Sequence, residues 1–113
     1  MSDAQPIHLN AEDMPWGCSN VHGVSFKTLR YDADEKQGAV MVHMCAGTEY
    51  PHYDSEAGQD VFVIDGELLL GEQSIGRGSY VWVPPGEDHV PRTDKGCVLF
   101  VASFGKVRHK LND

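Results

Sequence analysis

Two histidines and an aspartate are the residues whose types and spacing could support chemistry. His52 and Asp54 would share one face of an extended chain, because side chains at i and i+2 point to the same side of a strand. His89 follows a Pro-Pro-Gly segment at 84–86 and begins a returning segment. Two imidazoles and one carboxylate are the ligand set of non-haem iron enzymes, which leave coordination positions open for substrate. The alternative is a surface His-x-Asp with an unrelated turn histidine, and spacing alone leaves both interpretations open.

The other four histidines are weaker candidates for metal ligands. His8, His22 and His109 are scattered through turns and arms, so we expect them to be solvent-exposed. His43 lies in the middle of an apolar segment, and we expect it to be packed or hydrogen-bonded rather than a ligand.

Short strands joined by glycine turns must position these residues, because no window shows a sustained helical period. Two prolines end one of the strands, and Asp65-Gly66 between two apolar runs is typical of a type I′ hairpin turn. The spacing predicts an all-β sandwich or small barrel with little helix. The predicted strands cover residues 24–31, 39–45, 60–64, 67–70, 80–83 and 97–102.

Composition limits the classes of partner. The chain has 113 residues, 41% of them hydrophobic and 23% charged, with a net charge of −8, which indicates one acidic globular domain. This charge disfavours nucleic acid and anionic membranes as partners. The N-terminus is polar and acidic, unlike a signal peptide, so we expect a cytoplasmic protein.

The domain is expected to consist of an N-terminal arm at 1–20, a barrel at 21–104 and a C-terminal tail at 105–113. The three cysteines include no CxxC pair, and Cys45 and Cys97 are predicted to be small buried hydrophobic residues. The segments 39–45 and 97–102 are apolar on both faces, which predicts a homodimer whose second sheet covers them, with Trp16 of the arm crossing the interface.

The second half of the chain carries the motif of a known family. Gly78, Pro84, Gly86, His89 and Thr93 keep every spacing of the second cupin motif, with threonine in place of its final asparagine. His52, Asp54, Gln59 and Gly66 stand at the spacings of the first motif, after an upstream Gly47. The chain therefore resembles the cupin superfamily (RmlC-like), and is most similar to the ChrR-type cupin-like domain over roughly residues 21 to 103.

This resemblance implies a jelly-roll β-barrel of two packed antiparallel sheets with a divalent metal inside. Position by position, the ligands fall on His52, Asp54, Gln59 and His89, where aspartate replaces the second histidine of the motif and glutamine replaces the glutamate. Both substitutes present oxygen lone pairs, and the metal could be Fe, Zn, Mn or Ni.

Either of two neighbouring residues could be the fourth ligand. Gln59 and Asp60 face opposite sides of a strand unless a bulge intervenes; the family register favours Gln59, whereas charge favours Asp60. Around the site, Phe62, Trp82, Met41 and Phe100 are candidates to wall a pocket, with Arg92 to orient an anionic substrate.

Three functions remain open at this point. The first is a metal-dependent enzyme, of dioxygenase or isomerase type, that acts on a small organic molecule. The second is a non-catalytic ligand- or metal-sensing cupin, related to ChrR-type signal-receiving domains. The third is a metal-free cupin whose site has decayed.

Overall fold

Antiparallel strands make up most of the computed structural model. The model describes residues 5–51, 53–55, 58–86, 90–104 and 107–109. For residues 53–55, 103–104 and 107–109 it describes the backbone alone. The one helical element in the part of the chain that the structure describes is a 3-10 turn at Ala11–Asp13. Eleven strands lie in the described residues: β1 Gly17–Cys18, β2 Val24–Asp32, β3 Gln37–Met44, β4 Thr48–Glu49, β5 Tyr53–Ser55, β6 Gln59–Leu70, β7 Gln73–Gly76, β8 Tyr80–Val83, β9 Arg92–Thr93, β10 Cys97–Phe104 and β11 Val107–His109.

Nine of these strands form one curled sheet. Its order is β1-β2-β3-β10-β6-β9-β4, with β7 and β8 also paired to β6, while β5 and β11 form a separate pair. Every pairing is antiparallel. The predicted all-β architecture with little helix is therefore confirmed in the described residues.

A continuous apolar core fills the concave side of this sheet, because alternate residues of β2, β3, β6, β8 and β10 point to it. Val63 is fully buried, and Met44 and Leu68 are each 1% exposed. The remaining buried apolar residues are Val24, Val42, Val61, Ile75, Val83, Cys97, Leu99 and Val101.

The predicted Asp65-Gly66 hairpin is wrong. A type I′ turn needs positive φ at both central residues, but only Gly66 has it, at 83°. The chain instead continues as the single strand β6, whose register with β10 shifts between Val98 and Leu99 in a β-bulge. β8 pairs with β6 before the bulge and β7 and β9 pair with it after the bulge, whereas β10 pairs with β6 on both sides of it. The chain therefore does not reverse at Asp65-Gly66, and one long strand, with its bulge at Ile64, links two parts of the sheet.

The N-terminal arm packs on the convex side of the sheet. The ammonium of Lys27 donates a hydrogen bond to the carbonyl of Ala11 (2.7 Å) and lies 4.5 Å above the ring of Trp16. The Trp16 ring also contacts His43, with ring centroids 5.6 Å apart. Lys27 is only 9% exposed, so these contacts are what satisfy its charge on this face.

Candidate functional site

The structure describes only some of the four predicted metal ligands. His52 and His89 lie outside the described residues. Asp54 belongs to β5, where it is the register partner of Arg108 in β11, and only its backbone is described. Gln59 is described in full. Among the described residues, no three His, Cys, Asp or Glu side chains are grouped so that they could hold a metal.

Gln59 lies on the concave face of the barrel at the start of β6. Its side chain is 5% exposed, and it shares its face with the buried Val61 and Val63. Asp60 points to the opposite face, where its carboxylate accepts a hydrogen bond from the hydroxyl of Tyr80, and this bond raises the pKa of Tyr80. No bulge intervenes between the two residues, so of this pair only Gln59 faces the interior.

Strands β4 and β9 form a short ladder at one end of the strand order of the sheet. Thr48 pairs with Thr93 and Glu49 with Arg92, and the Tyr50 amide then donates to the Pro91 carbonyl (2.8 Å). The two threonines are buried at 8% and 1% exposure, whereas Glu49 and Arg92 are exposed. Alternation along this ladder therefore separates an inner face from an outer one, and Arg92 lies on the outer face.

Tyr50 is a candidate site residue that is absent from the predicted ligand set. Its ring packs edge-on against Phe26, with centroids 6.4 Å apart, and burial raises the pKa of Tyr50. The phenol is therefore protonated at neutral pH and can donate a hydrogen bond. The spacing of two residues between Tyr50 and His52 is the signal that could have indicated it, although Pro51 between them cannot donate a hydrogen bond to a strand ladder.

Thr93, which ends the second motif, has a structural role. Its hydroxyl donates to the carbonyl of Glu67 (2.6 Å) and accepts from the amide of Gly96 (2.9 Å). These two bonds tie β9 and the following turn to β6 at a position that is 1% exposed. A hydroxyl at this motif position thus secures the strand that leads back toward residue 89.

The expectation that Phe62, Trp82, Met41 and Phe100 wall a pocket is wrong. Phe62 and Trp82 are 42% and 52% exposed on the convex face. Register partners share a face, so Phe100, the partner of Phe62, and Met41, the partner of Phe100, lie on that convex face too. These strands are apolar on both faces, and the period of two does not tell which face is inside.

The cysteines differ from one another in burial. Cys97 is buried as predicted, but Cys45 is exposed, so that part of the prediction is wrong. Cys45 follows the last residue of β3 and belongs to no strand, because the chain turns there toward Gly47.

We expect Cys97 to be unreactive in the native protein. Burial raises the pKa of its thiol to about 11, despite a hydrogen bond with Thr93 that lowers it, and only the thiolate is a nucleophile. In a Cys18→Ser/Cys45→Ser variant at pH 8, DTNB should label Cys97 at least about 100-fold more slowly than it labels Cys18 or Cys45 in the parent. Denaturant should remove the difference. Prompt labelling of the folded double variant would contradict the burial of this thiol.

The curled antiparallel sheet, the buried Gln59 and the ladder that leads toward residues 52 and 89 together define a small cupin barrel. The family model of the ChrR cupin-like domain matches residues 4–107, so the chain belongs to that family. No curated protein matches the chain. The described residues contain no helix long and apolar enough to cross a membrane.

Solved structures share this fold at low sequence identity. An RmlC-like cupin from Ralstonia eutropha is 19% identical with a TM-score of 0.81, and the match covers 91% of this chain and 71% of that one. An acetylacetone dioxygenase from Acinetobacter johnsonii is 9% identical with a TM-score of 0.80, covering 96% and 79%. A chain in the structure of Rhodobacter sphaeroides SigE in complex with the anti-sigma ChrR is 18% identical with a TM-score of 0.72. The match covers 83% of this chain and 51% of that one. At such identities the similarity shows the fold alone.

Proposed function

We propose that the barrel holds a divalent metal through His52, Asp54, Gln59 and His89 and acts on a small organic molecule. The observation that carries this proposal is the register of β4 with β9. If the same register continued from Glu49 and Arg92 beyond the Tyr50–Pro91 hydrogen bond, positions 52 and 89 would be partners. With the alternation that buries Thr48 and Thr93, both positions would then face inward. Two imidazoles opposite each other on that face are a metal-binding arrangement.

The donor set suits Fe, Zn, Mn or Ni. Imidazole and carboxylate are ordinary ligands of these ions, and Gln59 adds a neutral amide oxygen from a position that is 5% exposed. A bound divalent metal would supply Lewis-acid activation of a substrate oxygen, or oxygen chemistry if it is iron. An amide is a weaker donor than the glutamate of the usual motif, so we expect His52, Asp54 and His89 to dominate the affinity.

The chain's own side chains would orient the substrate. Tyr50 is protonated at neutral pH and presents a donor suited to a carbonyl or enolate oxygen. The apolar core around Phe26 and Val61 would exclude water from the inner end of the site. A small oxygenated molecule such as a diketone fits this combination, and oxidative cleavage or isomerisation is the reaction class we propose. The acetylacetone dioxygenase supports this only through its fold.

A second candidate function is a non-catalytic sensor of a ligand or metal. The observation that favours it is the match to the ChrR cupin-like family model over residues 4–107. A sensor would bind metal or a small ligand in the same barrel without turnover.

Metal analysis followed by oxygen uptake tests the two functions. For the enzyme we expect close to one divalent metal per chain and oxygen consumption, or isomer formation, with one of a panel of diketones, phenols and thiols. EDTA-treated protein, reloaded with each metal in turn, is the control that identifies the active ion. Stoichiometric metal without turnover of any panel member supports the sensor. Protein that neither carries metal nor binds it on addition would contradict the enzyme and a sensor of metal, and would indicate the metal-free cupin.

A further inference from the structure

An exposed aromatic residue lies on the concave face of the sheet, beyond the apolar core. Tyr31, near the end of β2, is 65% exposed. The register places it in a row of cross-strand partners, from β8 to β2, that runs Val83, Gln59, Ser103, Gly38 and Tyr31. Because register partners share a face, Tyr31 lies on the same face of the sheet as the buried Gln59.

A β-bulge in β2 directs Tyr31 to this face. The register of β2 with β3 shifts between Thr28 and Arg30, which leaves Leu29 as the extra residue. Without this residue, the alternation of a regular strand would put Tyr31 on the convex face, four residues after Lys27. Bulges re-aim side chains in this way and are frequent next to active sites. The interruption of β2 thus brings an aromatic ring to the face that carries the candidate site.

Gly38 leaves room for the Tyr31 ring on this face. A Cβ built on Gly38 would lie 3.3 Å from Cδ1 of Tyr31, so the ring lies beside the space that another residue would fill with its side chain. Val40, in the next row toward the core, is half-buried and packs against the core. Since most of Tyr31 is exposed, its ring and this valine form an accessible apolar surface within the described part of the chain. A planar ring can stack on such a surface.

The length of the row limits the size of a molecule that could reach both of its ends. Gln59 and Tyr31 lie three strands apart, about 14 Å along the sheet at ordinary strand spacing. The sheet is curled and both residues are on its concave side, so their side chains are closer together than their backbones. An oxygenated head at Gln59 would not reach Tyr31 by itself. The same head with an aromatic ring attached would bridge much of this distance.

We propose that Tyr31 determines substrate specificity, by stacking on an aromatic ring of a substrate whose oxygenated head lies at Gln59. The inference rests on the proposed function and deepens it by naming the substrate class, a small diketone or related carbonyl compound that carries an aryl group. Stacking removes the apolar faces of both rings from water and adds the preferred geometry of an aromatic pair. A substrate with a methyl group in place of the ring lacks both contributions.

Calorimetric titration of the Zn-loaded protein with two diketones tests this assignment. Acetylacetone and benzoylacetone share the same head, and a phenyl ring replaces one methyl group in the second. We expect the parent to bind benzoylacetone at least about 10-fold more tightly than acetylacetone. Tyr31→Ala should lower the affinity for benzoylacetone by about 10-fold and change that for acetylacetone by less than about twofold. Tyr31→Phe, which keeps the ring, should bind both diketones like the parent.

Two further variants complete the test, and circular dichroism checks that each is folded. Tyr80→Ala is the matched control, because it removes a tyrosine of similar exposure, 59%, from the convex face, and it should keep the parent's preference. Tyr31→Leu keeps an apolar side chain beside Gly38 without an aromatic ring, so it should lose at least about 3-fold in benzoylacetone affinity even if Tyr31→Ala does not fold.

The outcomes separate this inference from the function on which it rests. Equal binding of the two diketones by the parent would overturn the inference and leave the metal-dependent function standing. So would a folded Tyr31→Ala or Tyr31→Leu that keeps the preference, or that loses both diketones equally. A parent that takes up no Zn, or whose Zn form binds neither diketone, would overturn the inference together with the proposed diketone substrate.

Discussion

His89→Ala is expected to weaken divalent metal binding by at least about 100-fold, because even the loss of a residue that only hydrogen-bonds a ligand typically costs about 10–100-fold. The substitution removes one of the two nitrogen donors that we assign to the inner face. Titration of the apoprotein with Zn or Ni, followed by calorimetry, measures the change. In the same series Gln59→Ala should weaken binding only modestly, since water can replace an amide oxygen. Asp54→His should tighten it by restoring the histidine of the usual cupin motif.

The matched control for this series is His22→Ala, which removes an imidazole from an exposed turn before β2. It should bind metal like the parent. The ranking is the sensitive part of the prediction, because general destabilisation would lower the affinity of all the variants without raising that of Asp54→His. Parent-like binding by His89→Ala would contradict the ligand assignment and would remove the main support for the enzymatic function.

Gly66→Ala is expected to destabilise the fold by at least about 4 kcal/mol, a cost comparable to the whole stability of many small domains. A Cβ at this position would lie 2.1 Å from the carbonyl oxygen of Gly96 and 2.7 Å from the Cα of Cys97. Both contacts are with backbone atoms of the paired strand and its preceding turn, so no side chain can rotate away to relieve them. The positive φ of 83° adds a further cost of about 1–2 kcal/mol for any residue with a Cβ.

Gly78→Ala separates these two costs. Gly78 has nearly the same φ, 86°, but nothing lies within 4 Å of its Cβ position. It should therefore lose only about 1–2 kcal/mol, the cost of the backbone conformation. Urea denaturation measures both variants, and insolubility of Gly66→Ala beside a soluble Gly78→Ala would agree with the same reasoning. Equal losses in the two variants would show that β6 and β10 can separate at Gly66 to admit a methyl group.

Local patterns in the sequence were sufficient to predict four of the strands and the opposite orientations of Gln59 and Asp60. Period-two alternation and β-branched runs predicted β2, β3, β8 and β10 to within a few residues, because these signals depend on neighbours along the chain. That Gln59 and Asp60 point to opposite faces of β6 follows from the same alternation. The motif at 78–93 carried the family resemblance that the family model confirms.

The tertiary structure alone decided which face is inside and where the chain bends. β6 and β10 are apolar on both faces, so the sequence could not tell that Val63 is buried while Phe62 is exposed. Asp65-Gly66 has the composition of a reversing turn. Whether it reverses the chain depends on β10, which pairs across the bulge, and on β7 and β9, which pair with β6 beyond it. Such pairings join residues distant in the chain, and their energies are not encoded in any local pattern.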